Sequence, residues 1–140
     1  MTRFKAATTT TSCAAKTGTM FFGDNGADTV EGAAGSDELR GGAGDDALSG
    51  GDNGDLLFGW GENDLLLGDA GNDFIKGDAG DDTLDGGAGQ DSLQGNAGLD
   101  VFRFSADASI DYVGGFSAGP ARPTGSNSSV MARRSTASPK

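Results

Sequence analysis

From Gly23 to Arg103 the sequence repeats itself every nine residues, nine times, without a gap. The units are GDNGADTVE, GAAGSDELR, GGAGDDALS, GGDNGDLLF, GWGENDLLL, GDAGNDFIK, GDAGDDTLD, GGAGQDSLQ and GNAGLDVFR. Place one is Gly and place six is Asp in all nine, and place eight is always Val, Leu, Ile or Phe. Place four is Gly in seven units, with Asn53 and Glu62 the exceptions. A period of this kind restricts the fold more than any total. Glycine at this density works against a helix. A collagen helix needs glycine at every third position, and leucine-rich repeats run longer. A flexible glycine-rich linker has no reason to keep an acid and an apolar residue in register.

Gly at places one, two and four lets the backbone enter positive φ without a Cβ clash. Asp24, Asp69, Asp78 and Asn96, at place two, are residue types that tolerate that region. Place eight is predicted to point inward, which makes Val30, Leu39, Leu48, Leu57, Leu66, Ile75, Leu84, Leu93 and Phe102 the candidate core. One inward side chain in nine makes a thin core. Its burial is too small to offset the conformational entropy of ordering the segment, so a ligand is needed.

Charge indicates which ligand. Residues 23–103 hold 19 acids and three bases (Arg40, Lys76, Arg103), a net charge of −16. Residues 1–22 carry +3 and residues 104–140 carry +2, within a total of −11. Stacked repeats bring like charges into columns that repel each other without counter-ions. The available donors, Asp carboxylates and turn carbonyls, are all oxygen, which suits Ca²⁺ with its six to eight oxygen ligands. Zn²⁺ would want Cys or His, and Mg²⁺ a tighter octahedron. The EF-hand spacing is not found.

Several function classes drop out. The chain has no His, so neither a Ser-His-Asp triad nor an H-E-x-x-H zinc site is possible. Phosphate repels a net anion, so nucleic acid is not an expected partner. Cys13 is the single cysteine and reads as an incidental thiol, with no intramolecular disulfide. No apolar run is long enough for a membrane span. The start, MTRFKAATTTTSCAAK, lacks an apolar h-region and does not read as a cleaved signal peptide, so export would need another route.

The repeat resembles the RTX family, the hemolysin-type calcium-binding nonapeptides, over 81 of the 140 residues. The resemblance implies an all-β fold, a right-handed parallel β-roll of about four and a half coils of 18 residues. Each unit would be a glycine-rich turn followed by a very short strand. Turns starting at 23, 41, 59, 77 and 95 would stack on one edge, and those at 32, 50, 68 and 86 on the other. It also implies ions between turns one coil apart. The lower turn would give the carbonyls of places two and four and its Asp. The upper turn would give the carbonyls of places one and three and its Asp. Carried over residue by residue, the first turn supplies Asp24, Gly26 and Asp28, and the second Ala33, Gly35 and Asp37. The third supplies Gly41, Gly42, Ala43, Gly44 and Asp46, and the fourth Gly50, Gly51, Asp52, Asn53 and Asp55. The fifth supplies Gly59, Trp60, Gly61, Glu62 and Asp64, and the sixth Gly68, Asp69, Ala70, Gly71 and Asp73. The seventh supplies Gly77, Asp78, Ala79, Gly80 and Asp82. The eighth supplies Gly86, Ala88 and Asp91, and the ninth Gly95, Ala97 and Asp100. Adjacent turns give up to seven calcium sites, with interior Asp residues bridging two ions. In the fifth turn Trp60 and Glu62 replace Gly, which costs energy at positive φ. The site between this turn and the one at 77 is therefore expected to be the weakest, and Glu62→Gly to raise affinity or stability.

Residues 1–22 are expected to be partly disordered, with an end cap near 19–22 formed by Met20, Phe21 and Phe22. Residues 104–116 resemble the closing segment of serralysin-type proteases and alginate epimerase modules. In it Phe102 and Phe104 cap the roll, and Asp111, Val113 and Phe116 form a D-x-hydrophobic-x-x-F element. No further strand is expected, and residues 117–140, polar and basic, read as disordered. Places seven and nine face outward. Leu56, Phe58 and Phe74 should adjoin on one sheet and could support self-association, while Leu65, Leu67 and Trp60 should meet on the other.

The resemblance points to a non-enzymatic calcium-binding module of a secreted, extracellular bacterial protein. It would pass a type I secretion system unfolded and fold on extracellular calcium. The rival readings are an adhesin or polysaccharide-binding module, and a fragment of a secreted calcium-dependent enzyme such as a protease, lipase or epimerase.

Overall fold

Extended backbone at places seven to nine runs on through places one to three of the next unit, so most strands straddle the repeat boundary. This is seen in the structure, a computed structural model that describes residues 2–5, 12–14, 18–104, 110–116 and 130–132. The strands are β1 (Thr2–Lys5), β2 (Ser12–Ala14), β3 (Thr19–Asn25), β4 (Thr29–Glu31), β5 (Glu38–Ala43), β6 (Ala47–Asp52) and β7 (Leu56–Gly61). They continue with β8 (Leu65–Ala70), β9 (Phe74–Ala79), β10 (Thr83–Asp85), β11 (Ser92–Ala97), β12 (Val101–Arg103), β13 (Asp111–Phe116) and β14 (Val130–Ala132). The chain alternates between two sheets, one ordered β1-β3-β5-β7-β9-β11-β13-β14 and the other β12-β10-β8-β6-β4-β2. All pairings are parallel except β13 with β14. The result is a parallel β-roll of about five turns.

The register is one coil per 18 residues: Leu39 lies beside Leu57, Leu57 beside Ile75, and Ile75 beside Leu93. Facing them, Val30, Leu48, Leu66, Leu84 and Phe102 stack in the second sheet. Leu39, Leu57, Leu66, Ile75, Leu84 and Leu93 are fully enclosed, and Val30 and Leu48 nearly so. Phe21 and Val113 extend this column at its two ends, and Phe102 and Phe104 pack against it half-buried. The core is thus two lines of side chains, one per strand, as the place-eight pattern predicts.

The ends depart from expectation. Phe21 is an interior rung of β3 rather than a lid, and β1 and β2 add strands beyond it. Neither segment carries the glycine-acid motif, so the period does not reveal them. They form because parallel strands leave an open ladder that another strand can join. At the other end β13 continues the larger sheet, and β14 pairs with it inside the segment read as disordered. The rest of that segment lies outside the described residues, as does the stretch between β1 and β2. Trp60 is also placed differently. It belongs to β7, on the larger sheet, and not beside Leu65 and Leu67 of β8. The strand continues through place two, so that residue stays on the sheet its unit is leaving.

Candidate metal centre

The nine place-six aspartates form two lines along the edges of the roll. From Asp37 to Asp100 each accepts at Oδ1 the backbone N–H of the residue 18 positions earlier. Asp46 accepts from Asp28 at 2.7 Å, Asp55 from Asp37 at 2.7 Å, Asp64 from Asp46 at 2.9 Å and Asp73 from Asp55 at 2.8 Å. Asp82 accepts from Asp64 and Asp91 from Asp73, each at 2.9 Å, and Asp100 from Asp82 at 3.2 Å. The carbonyls of the seven aspartates from Asp28 to Asp82 also receive the place-seven N–H of the next coil, as in Leu65 to Asp46 at 2.8 Å. The second carboxylate oxygen is different. In Asp37, Asp46, Asp55, Asp64, Asp73 and Asp82, Oδ2 is buried and has no hydrogen-bond partner. A buried carboxylate oxygen without a donor is costly.

Two reasons for glycine are distinguishable. Places two and four have positive φ in all nine turns, whether or not the residue is Gly; Asp24, Ala33, Trp60, Asp69, Asp78 and Asn96 adopt it at place two, and Asn53 and Glu62 at place four. Place one does not, which corrects the conformational explanation given for it. Its glycine is a matter of room. A Cβ at Gly41 would strike Oδ2 of Asp46, so the missing side chain leaves space beside that oxygen. Gly44 combines both reasons, with φ +126° and the Gly26 carbonyl against the site of a Cβ.

The turns whose carbonyls the resemblance implies as ligands are hydrogen-bonded to each other one coil apart. In the first pair the Gly26 N–H donates to the Ala43 carbonyl at 2.6 Å, with Asp28 and Asp46 joined beside it. Place-two carbonyls receive a place-three N–H from the next coil, as in Asp52 to Ala33 at 2.8 Å and Ala88 to Asp69 at 2.7 Å. These carbonyls are therefore not bare. Each keeps a second lone pair for an ion. Of the turn residues named as ligands, those at places one to three mostly lie in the ends of strands, Gly59, Trp60 and Gly61 in β7 among them, and those at places four and six lie in the turns between strands. Among the described residues no three Asp, Glu, His or Cys side chains converge as a metal cluster. A cation here would rest on two carboxylates and backbone oxygens. That donor set, hard, anionic and buried, fits Ca²⁺.

Electrostatics agree. Burial pushes the carboxyls of Asp64 and Asp73 up to about 7 and that of Asp55 up to about 6. The N–H bond to each partly opposes this, and the next aspartates in the column add to it. Asp46, Asp82 and Asp100 are raised for the same first reason. The column resists ionisation unless positive charge enters it.

Three features of the site go beyond the sequence pattern, and a fourth, Asp111, gives the closing element its role. Thr19 heads the ladder, donating its N–H to Asp37 Oδ1 at 2.6 Å, and stands nine residues before Asp28, where an Asp would be. Asp111 closes it, accepting from Asp91 at 3.2 Å, and its D-x-hydrophobic spacing to Val113 is the usable signal. Place five makes a second, exposed ladder: Asn63 N–H to Asp45 at 3.0 Å, Asp81 to Asn63 at 2.8 Å and Leu99 to Asp81 at 2.8 Å. Glu62 reaches down one coil and accepts the Gly44 N–H at 2.9 Å.

Leu56, Phe58 and Phe74 adjoin on the outer face of the larger sheet, among the charged side chains of Glu38, Arg40 and Lys76. Leu56 lies beside Phe74, and the Phe58 and Phe74 rings are 6.0 Å apart. Among the described residues no helix is long and apolar enough to cross a membrane.

Comparison with protein families finds the RTX calcium-binding nonapeptide repeat in four copies, at residues 22–57, 48–75, 58–93 and 76–108. Together these span more than half of the chain. No curated protein and no solved structure matches the chain.

Proposed function

The chain belongs to the RTX calcium-binding repeat family, and from that premise we propose that its calcium-binding β-roll is a folding switch of a secreted bacterial protein. The observation that carries this is the row of buried Oδ2 atoms without partners. Asp37, Asp46, Asp55, Asp64, Asp73 and Asp82 hold these oxygens, and those of Asp37, Asp55, Asp64 and Asp73 lie near the place-one carbonyl of the next coil. Bound calcium would supply the positive charge that such oxygens lack. Seven turn pairs allow up to seven ions, close to neutralising the −16 of the segment. An ion that binds only the folded state stabilises it by RT ln(1 + [L]/Kd) at each site.

In a calcium-poor cytosol the self-repelling chain would stay unfolded and pass a type I secretion system. Extracellular calcium, around 10⁻³ M, would then fold it. The proposed role is non-catalytic. Far-UV circular dichroism with calcium and with chelator tests the reading. At neutral pH most of the strand signal should appear only with calcium, and a full signal in chelator would refute it.

A second reading rests on the larger sheet, where Leu56, Trp60 and Tyr112 are about half exposed. Such a face suits a partner, a glycan or a second copy. Size exclusion in calcium should show Leu56→Ser and Phe58→Ser eluting later than the native chain. Identical elution of all three as monomers removes self-association.

A further inference from the structure

The fifth turn, Gly59–Asp64, breaks the repeat's rules twice, and its conformation is costly. Trp60 has φ 86° and Glu62 φ 69°. Positive φ is unusual for a bulky residue and persists only where surrounding contacts enforce it. The contacts that enforce it here need no ion. Glu62 Oε2 accepts the Gly44 N–H at 2.9 Å, and the Asn63 N–H reaches Asp45 at 3.0 Å. On the sheet face the Arg40 guanidinium lies 5.1 Å from the Phe22 ring, 5.7 Å from Phe58 and 5.9 Å from Trp60. Glu38, two residues away, holds the guanidinium in place.

Arg40 thus ties β5 to β3 on one side and to β7 on the other. Among the described residues every cation–ring contact belongs to it. In four other turn pairs the place-four N–H goes to a place-three carbonyl, an oxygen the calcium reading assigns to an ion. At Gly44 it goes to a carboxylate of the chain itself.

We propose that Glu62 and the Arg40 stack form a calcium-independent clasp, which keeps the coil between Phe22 and Asp64 assembled in the metal-free chain and gives the roll a place to start folding. Calcium then completes coils on either side of an existing one. Such a local unit is expected to outlast the strands around it when the ion is withdrawn. The inference rests on calcium-coupled folding of the roll.

Trp60 is the single tryptophan, so its near-UV dichroism reports on this turn alone, while far-UV dichroism reports on all strands. In chelator the Trp60 band should keep roughly half or more of its calcium-saturated intensity after most strand signal is gone. Glu62→Ala should remove that residual band, and Glu62→Gln, which keeps an acceptor for Gly44, should retain most of it. Loss of both signals together in the native chain overturns the clasp but leaves calcium-coupled folding standing. A residual band that survives unchanged in E62A also overturns it. A full strand signal in chelator overturns both readings at once.

Discussion

The three central turn pairs differ from the four outer ones. In the pairs that begin at 23, 32, 68 and 77, the place-four N–H bonds to the facing place-three carbonyl, at 2.6, 3.2, 2.8 and 2.9 Å. Pairs 41, 50 and 59 lack this bond, and each contains Asn53 or Glu62 at place four. The longest of the four, at 3.2 Å, is also the one whose upper turn holds Asn53. A side chain at place four therefore loosens the direct closure between turns. The same central region holds the most perturbed carboxyls, Asp55, Asp64 and Asp73. The outer coils lean on backbone bonds, and the centre on side chains and on whatever enters its acid column.

The largest expected effect is that of pH on the metal-free chain. Asp64 and Asp73 titrate near 7 when folded against 3.8 as free side chains. Between those values the folded state binds more protons than the unfolded one, so stability falls as pH rises through the window. In chelator, strand content should grow as pH drops from 8 to about 4, with no further gain from these groups below that. Calcium should flatten the dependence. A metal-free chain that gains strand with rising pH would reverse the sign and remove burial of these acids as its cause.

The next largest concerns one atom in the centre. Asp64→Asn keeps an oxygen to accept the Asp46 N–H but removes the charge. With calcium the loss should be about 3 kcal/mol, the scale of losing one partner of a buried charged contact. In chelator at pH 8 the same change should stabilise, because the buried charge is gone. The midpoint of the calcium melt should therefore fall, while strand content in chelator should rise. Shifts of the same sign would mean that Asp64 acts through packing alone.

Gly80→Ala tests the outer class. Gly80 sits at φ +143°, and a Cβ would meet the Glu62 carbonyl below. Its N–H makes one of the four closures, to Ala97 at 2.9 Å. Strain and collision together should cost about 2–4 kcal/mol in calcium. A loss under 1 kcal/mol would show that outer turns separate as readily as central ones.

The repeat itself was easy to see. Gly, Asp and the apolar place define the coil, the two rows and the two acid lines, because each acts through one local geometry repeated nine times. Most of what remained hidden depends on the neighbouring coil. Within one unit the five-residue spacing of Gly41 and Asp46 is plain in the sequence, but the reason for it, that Asp46 folds back over Gly41 and leaves no room for a Cβ, is not. β1 and β2 carry no repeat motif and are defined by the ladder edge they join. The repeat pattern places the strand after the turn and so groups Trp60 with Leu65 and Leu67, whereas hydrogen bonding carries β7 through Gly61 and keeps Trp60 on the larger sheet. Glu62 read as a defect because only its backbone was considered. Its side chain spans a full coil to reach Gly44.

Glu62→Gly is consequently the smallest effect and the most discriminating. From sequence alone the change should stabilise, since glycine relieves φ 69°. That relief is on the order of 1 kcal/mol. The structure sets against it the bond to Gly44, about 0.5–1.5 kcal/mol for a hydrogen bond of this kind. The two nearly cancel, so the calcium-bound melt should move by less than about 1 kcal/mol. The change should also convert the centre towards the outer class by letting the Gly44 N–H reach the Gly61 carbonyl. Amide exchange at Gly44 is the sensitive readout. Protection should persist in calcium, with a new acceptor, and drop in chelator, where the carboxylate alone had held that N–H. Gly44 exchange that is unchanged in chelator would show that the central turns close without Glu62, and the distinction between the two classes would reduce to bond length.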